Sequence, residues 1–244
     1  MKVFSIIIFL FVNYISSRNL RATEEEYPSK DGTLIYKKIS EDNLKNYLLD
    51  DKIYVIDTRK MYKSAAGYIK NTIILPESML SYIFSLIPLG AEIIIITDEE
   101  NKQKAIGKIM ELCSYKILGY SIFNEITEKN GFDLQVVEYN SNSNENIQQI
   151  VDKRENIIDI REINEFKETG YVNHSKLIPL STFLSNYNQI PTIGDVYIFC
   201  KSGTRSIIGM TFAKRKGYNN RFIVMKGGIS RAIEEGFPLI PFIE

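Results

Sequence analysis

The chain has little with which to hold a metal or a disulfide framework. Its 244 residues include two cysteines, Cys113 and Cys200, and a single histidine, His174. Two cysteines do not make a disulfide scaffold, and a Cys/His zinc site needs about four ligands. A Cys–His hydrolase dyad would have to recruit His174, whose neighbours Asn173 and Ser175 read as a surface loop. Net charge is missing as well: 30 Lys and Arg balance 30 Asp and Glu. That balance gives no argument for nucleic acid or an anionic membrane surface as partner. What remains is ordinary for a globular protein, with 44% hydrophobic and 25% charged residues. The length allows one large domain or two small ones.

The first segment differs in kind. Met1-Lys2 precedes a nearly all-apolar stretch from Val3 to Ile15, followed by Ser16-Ser17-Arg18. A short basic start, an apolar stretch and small residues describe a secretory signal peptide at 1–17. The stretch is shorter than the roughly 20 residues a membrane-spanning helix needs. Such a signal implies export, to a periplasm or outside the cell; without it the chain would be cytoplasmic. Residues 18–33 are polar, acidic at Glu24-Glu25-Glu26, and read as a linker.

The remainder resembles itself. Val55-Ile56-Asp57-Thr58-Arg59 matches Ile157-Ile158-Asp159-Ile160-Arg161, and Gly67-Tyr68-Ile69 matches Gly170-Tyr171-Val172. Leu75-Pro76 matches Ile178-Pro179, and Gly131-Phe132-Asp133-Leu134 matches Gly236-Phe237-Pro238-Leu239. Two copies of about a hundred residues suit two compact domains, 34–134 and 135–244, rather than a solenoid, whose period runs about 20–50. The Asn/Ser-rich run Asn140 to Asn146 reads as a surface loop inside the second copy. Strands are predicted there at Ile157–Ile160, Leu177–Leu180, Val196–Phe199 and Phe222–Met225. Helices are predicted at 145–153, 205–216 and about 228–235. This alternation predicts an α/β fold with a mainly parallel sheet, whose ligands bind outside the carboxyl ends of the strands.

Cys200 lies at such an end. It follows the apolar run Val196-Tyr197-Ile198-Phe199 and opens Cys200-Lys201-Ser202-Gly203-Thr204-Arg205-Ser206, which leads into a helical pattern. A cysteine between a strand and a helix N-terminus faces backbone N–H groups, which favour an anion and lower a thiol's pKa. The same count of residues that separates Cys200 from Asp159 leads from Asp57 to Asp98 in the first copy. There the following residues, Glu99-Glu100-Asn101-Lys102-Gln103, form an acidic loop without Gly, Thr or Arg. One thiol site per chain is expected, in the second copy. Cys113, beside Leu112 in a helical pattern, reads as a buried small hydrophobe.

On these residues the chain resembles the rhodanese family, as a tandem of two rhodanese-like domains. The marks in the second copy are Ile158-Asp159-Ile160-Arg161-Glu162 with Glu165-Phe166, Gly170-Tyr171-Val172, Ile178-Pro179-Leu180, the Cys200 loop and Lys226-Gly227-Gly228-Ile229. The resemblance covers most of 147–240 and, more weakly, 34–134. It implies two small, mainly parallel sheets with helices on both faces. It also implies a sulfurtransferase, whose cysteine takes a sulfane sulfur from a donor such as thiosulfate or a persulfide. The cysteine then passes it to cyanide or a thiol. A Cys-less copy before an active one is similar to the rhodanese pair of persulfide dioxygenase fusions. The chain departs from the family pattern where Gly-His-Ile is common (Gly170-Tyr171-Val172) and where a Trp is common (Ala232); it has no Trp at all.

The loop residues carry the same chemistry without the resemblance. Only a thiolate attacks a sulfane sulfur. Gly203 permits a positive φ that turns N–H groups inward. Arg205 offers a planar cationic fork for an oxyanion. Ser202, Thr204 and Ser206 offer hydroxyls, and Lys201 adds charge at the rim. No metal or organic cofactor is required, and a protein partner on the first copy is possible in this reading. Asp159 and Arg161 recur as Asp57 and Arg59 in a copy without cysteine, so they read as structural. Lys226 and Arg231 read as solvated. Three rivals stand beside this reading: a buried structural thiol, a non-catalytic sulfur carrier, and a cysteine phosphatase or arsenate reductase. The loops of the last group place one residue more between Cys and Arg than the four here, Lys201 to Thr204.

Overall fold

The computed structural model describes residues 27–28, 34–111, 114–127, 131–141 and 143–243. The segment read as a signal peptide, most of the linker, and Cys113 lie outside the described residues. The chain divides into two units, 1–36 and 37–244. In the first, β1 (Tyr27–Pro28) and β2 (Leu34–Ile35) pair antiparallel.

The second unit opens with α1 (Glu41–Leu49), capped by Ser40, whose side chain accepts the Asn43 N–H. It continues through β3 (Ile53–Asp57), α2 (Met61–Ala66), β4 (Tyr68–Ile69) and β5 (Ile73–Ile74) to a 3-10 stretch at Glu77–Ser85. Then come β6 (Glu92–Thr97), a 3-10 turn at Glu99–Asn101, α3 (Lys102–Glu111), β7 (Lys116–Ile122), α4 (Phe123–Thr127) and β8 (Leu134–Gln135). The later half runs through β9 (Tyr139–Asn140), α5 (Asn144–Asp152), β10 (Asn156–Asp159), α6 (Ile163–Thr169), β11 (Lys176–Leu177) and α7 (Phe183–Asn186). It ends with β12 (Val196–Phe199), α8 (Thr204–Arg215), β13 (Phe222–Met225) and α9 (Gly228–Glu234).

Two parallel sheets result. One has the order β5-β3-β6-β7, with Lys38 bridging Tyr120 in parallel beyond β7. The other has the order β11-β10-β12-β13-β9. The two follow the same winding. Their central strands are apolar runs such as Ile93-Ile94-Ile95-Ile96, as parallel strands covered on both faces require. In the later sheet, Ile157, Phe199 and Met225 pack with Ile147, Ile150 and Val151 of α5 and Ile229 and Ala232 of α9. Alternation sends Ile198 to the opposite face, beneath α8 at Gly209. Helices therefore cover both faces.

Details differ from the sequence reading. The strand predicted over Leu177–Leu180 is only Lys176–Leu177, because Pro179 starts a 3-10 turn at Leu180–Thr182. The Asn/Ser run is not one loop: Tyr139–Asn140 pairs with β13, and Ser143 caps α5 by accepting the Asn146 N–H. The passage between sheets falls later than 134/135. Leu134–Gln135 pairs back with β4, and the Val137 N–H donates to Ala65, whereas the Glu138 carbonyl accepts from Val224.

Helix α8 is buried on nearly every side, from Ser206 through Ala213 and again at Arg215. The reason is that the earlier half covers its outer face. The Ile74 N–H of β5 donates to Thr211 Oγ1 at 3.1 Å. Arg215 donates to the carbonyls of Asp50 and Ile53, and Lys216 Nζ meets the Tyr54 hydroxyl at 2.9 Å. A helix enclosed in this way is apolar on more than one face.

Candidate active site

Cys200 follows β12 directly, at the carboxyl edge of the later sheet, and is 1% exposed. Gly203 takes φ +98° and turns its N–H onto Cys200 Sγ at 3.0 Å, immediately before α8 begins. Only glycine adopts that conformation at little cost. An N–H donor at a helix N-terminus presents partial positive charge to the sulfur. The loop is held from its other side by the start of α9. The Ile229 and Ser230 N–H groups donate to the carbonyls of Cys200 and Lys201, at 2.8 and 3.0 Å. Gly228, at φ +58°, lies so close that a Cβ would stand 2.2 Å from the Cys200 carbonyl oxygen. The Gly227-Gly228 pair is thus the clamp of the cysteine loop, a role that its sequence spacing alone does not reveal.

The other loop residues are distributed unevenly. Lys201 and Ser202 are exposed. Ser206 is fully buried, and its hydroxyl has no hydrogen-bond partner among the described residues. Thr204 lines a cavity of about 310 Å³ together with Lys60, Met61, Met79 and Lys104 of the earlier half. Arg205 is not the free fork that its sequence position implied. Both its Nη atoms donate to Glu165, at 2.5 and 2.6 Å. That pair raises the already high pKa of Arg205 and holds the Glu165 carboxyl below its ordinary value. Glu165 is fixed in turn by its capping bond to the Glu162 N–H at the start of α6. Its part went unread in the sequence; the available signal was an acidic residue in the first turn of the helix that follows β10.

Asp159 and Arg161 face each other behind the loop, both about 1% exposed. Arg161 donates to the Asp159 carboxylate through Nε and Nη2, and its Nη2 also meets the Gly170 carbonyl at 2.7 Å. Arg59 does the same with Asp57 and with the Gly67 carbonyl at 2.6 Å. His174 is exposed on a turn at φ +63°. Lys226 is exposed, and Arg231 pairs with Glu234 and Glu235. Among the described residues no three His, Cys, Asp or Glu side chains gather closely enough to hold a metal ion.

The place matching Cys200 in the earlier sheet is not Asp98. Register pairs Asp159 with Phe199, and Asp57 with Ile96. Cys200 therefore corresponds to Thr97, which is fully buried, and Lys201 to Asp98. The loop between the two paired strands is one residue shorter in the earlier half, so counting from the aspartate overshoots.

Residues 143–235 match the family of the rhodanese-like domain. Over this segment the chain is similar to that family. A sulfurtransferase of Allochromatium vinosum is 29% identical over 84 residues, 34% of this chain and 77% of that protein. Among solved structures, the thiosulfate sulfurtransferase of Pseudomonas aeruginosa is 19% identical, with 82% of this chain and 43% of that one covered and a TM-score of 0.36. The chain thus spans less than half the length of that protein. A rhodanese-related protein of Thermoplasma volcanium is 24% identical over 42% of this chain and 97% of its own, with a TM-score of 0.37. The rhodanese-like segment contains the cysteine loop, its Gly-Gly clamp, the Asp159–Arg161 pair and Glu165. The family match and the sulfurtransferase relative together support a sulfurtransferase-type function.

Proposed function

We propose that the chain is a tandem of two rhodanese-like domains with one active site, moving a sulfane sulfur through a persulfide on Cys200. The observation that carries this reading is Cys200 at the end of β12 with the Gly203 N–H on its sulfur. The thiolate attacks the outer sulfur of thiosulfate or of a persulfide. The Sγ–S bond forms, the donor's S–S bond breaks, and its electron pair leaves with sulfite or a thiolate. A cyanide or thiolate acceptor then attacks the outer sulfur of Cys200–S–S⁻ and departs as thiocyanate or a new persulfide, restoring the Cys200 thiolate. Gly203 and the α8 N-terminus stabilise the negative sulfur at both stages, and Lys201 draws anions to the rim. Asp159 and Arg161 hold the strand end and the Gly170 turn.

The Glu165–Arg205 pair favours sulfur over phosphate. A phosphate-transferring loop needs its arginine fork free for the oxyanion, and here Glu165 occupies both ends of the fork.

The test is thiocyanate formation from thiosulfate and cyanide. Cys200→Ser should lose activity on the order of a thousandfold or more. Treatment of the wild type with donor alone should add one sulfur atom to the Cys200 peptide in a mass spectrum. Equal rates in wild type and Cys200→Ser would sink the assignment.

A further inference from the structure

We propose that a cavity at the C-terminal end of α8, at the opposite end of that helix from Cys200, binds a small oxyanion that also carries a hydroxyl. Its chemistry is that of a hydrogen phosphate or a hydroxycarboxylate. The cavity measures about 400 Å³, within the range of small-molecule sites. Its walls come from both halves of the second unit, with Tyr68 and Lys70 on one side and Lys214, Arg215 and Asn220 on the other.

The walls present groups with nothing to bind. The Tyr68 hydroxyl is buried on a residue 2% exposed, and it has no hydrogen-bond partner among the described residues. Arg215 is 8% exposed. Its Nη atoms serve Asp51 and the carbonyls of Asp50 and Ile53, and its Nε is left without a partner. Asn220 gives its amide N–H to Gly194, and its buried Oδ1 has no partner. Buried polar atoms are normally satisfied, so two donors and one acceptor without partners, on three residues that line one cavity, point to a ligand with complementary groups.

Charge points the same way. Three cationic side chains, Lys70, Lys214 and Arg215, line the cavity with one carboxylate, Asp51, and Lys70 also pairs with Asp133 outside the lining at 3.2 Å. Asp51 is exposed and already engaged with Arg215 at 3.2 Å. Lys214 has no ion pair among the described residues; burial lowers its pKa, the nearby Glu138 carboxylate offsets part of that, and Lys70 adds a smaller lowering. An anion would relieve both lowering effects. The carbonyls at the end of α8 do not oppose it strongly, because those of Ala213 and Lys214 accept from Lys216, Gly217 and Tyr218.

The full-length chain should be melted with increasing inorganic phosphate and, separately, malate, with chloride balancing the ionic strength. At least one of the two anions should raise the melting temperature saturably, and equally in wild type and Cys200→Ser; which of them acts separates the phosphate from the carboxylate source. Lys214→Ala and Tyr68→Phe should each weaken the apparent affinity about tenfold, the loss of one good polar contact. Without ligand, Tyr68→Phe should melt no lower than wild type, since its hydroxyl has no partner to lose. No saturable shift with either anion would overturn the proposal, as would a shift undiminished in Lys214→Ala. A shift that vanishes in Cys200→Ser would place the anion at the cysteine loop and overturn it equally.

Discussion

The two halves of the second unit share a frame and differ in one loop. In both, a parallel sheet of the same winding carries a buried Asp–Arg pair that holds the carbonyl of a following glycine, Gly67 or Gly170. In both, the helix after the first central strand forms an ion pair with the loop after the second. The signs are exchanged. In the later half the helix supplies the anion, Glu165, and the loop the cation, Arg205. In the earlier half the helix supplies Lys63, and the loop supplies Asp98 and Glu100. The frame therefore does not specify chemistry. In the function proposed above, a short set of residues at the carboxyl edge specifies it: Cys200, the left-handed Gly203, the Gly227-Gly228 clamp and a cationic loop. The earlier half has Thr97, an acidic 3-10 turn, and Ile122-Phe123 leading straight into α4 in place of a glycine pair.

The comparison breaks most sharply at Gly228. Gly228→Ala places a Cβ 2.2 Å from the Cys200 carbonyl oxygen and 2.6 Å from that of Lys201. Backbone cannot yield locally, so the loop must move. A displacement on the order of 1 Å in such a site costs about a hundredfold. Persulfide formation, followed by mass spectrometry in a variant shown to be folded by circular dichroism, should fall by about that factor. A rate near wild type would mean that the clamp does not set the loop.

A smaller effect is expected from Glu165→Gln. Arg205 holds the Glu165 carboxyl below the usual range, so the pair's contribution to stability is complete above the unfolded value of about 4.3. It is lost as pH falls through the depressed folded value. Glu165→Gln should therefore cost about 1 kcal/mol at neutral pH, as for a partly exposed charged pair. The difference from wild type in urea unfolding should stay flat down to about pH 4.3 and close only in stronger acid. A difference that already closes near pH 6 would remove Arg205 as the partner that matters.

Much of this was legible in the sequence. The strands Val196–Phe199 and Phe222–Met225 are where apolar runs bounded by turn residues place them. The α/β winding follows from alternation of strand and helix patterns. The position of Cys200 at a strand end follows from Phe199-Cys200-Lys201-Ser202-Gly203, where apolar residues give way to turn formers. The pairing of Arg205 was not legible, because Glu165 lies 40 residues away and only the sheet brings α6 against the loop. Nor was Thr97 legible as the partner of Cys200, since strand register is set by hydrogen bonds, and a one-residue change in loop length leaves no local trace. The enclosure of α8 by both halves was not legible, because the Thr211 and Arg215 bonds to the earlier half join residues 137 and 162 positions apart.

The mildest expected result is the sharpest test of the comparison. Thr97→Cys in a Cys200→Ser background puts a thiol at the register-matched place in the earlier half. The frame around it is intact, with Asp57 and Arg59 paired as Asp159 and Arg161 are. If frame alone made the site, this thiol would take sulfur. The loop argues otherwise. Among the described residues, none from Thr97 to Lys102 has a positive φ to turn an N–H onto the sulfur. Position 97 is fully buried, and Asp98, Glu99 and Glu100 follow it. Burial and nearby carboxylates both favour the neutral thiol. Alkylation by iodoacetamide at pH 7 should be at least about tenfold slower than at Cys200, and thiosulfate should add no sulfur, because the thiolate is the reacting species. Sulfur uptake at a rate comparable to Cys200 would show that strand-end position suffices, and that the glycines and charges of the later loop serve stability rather than reactivity.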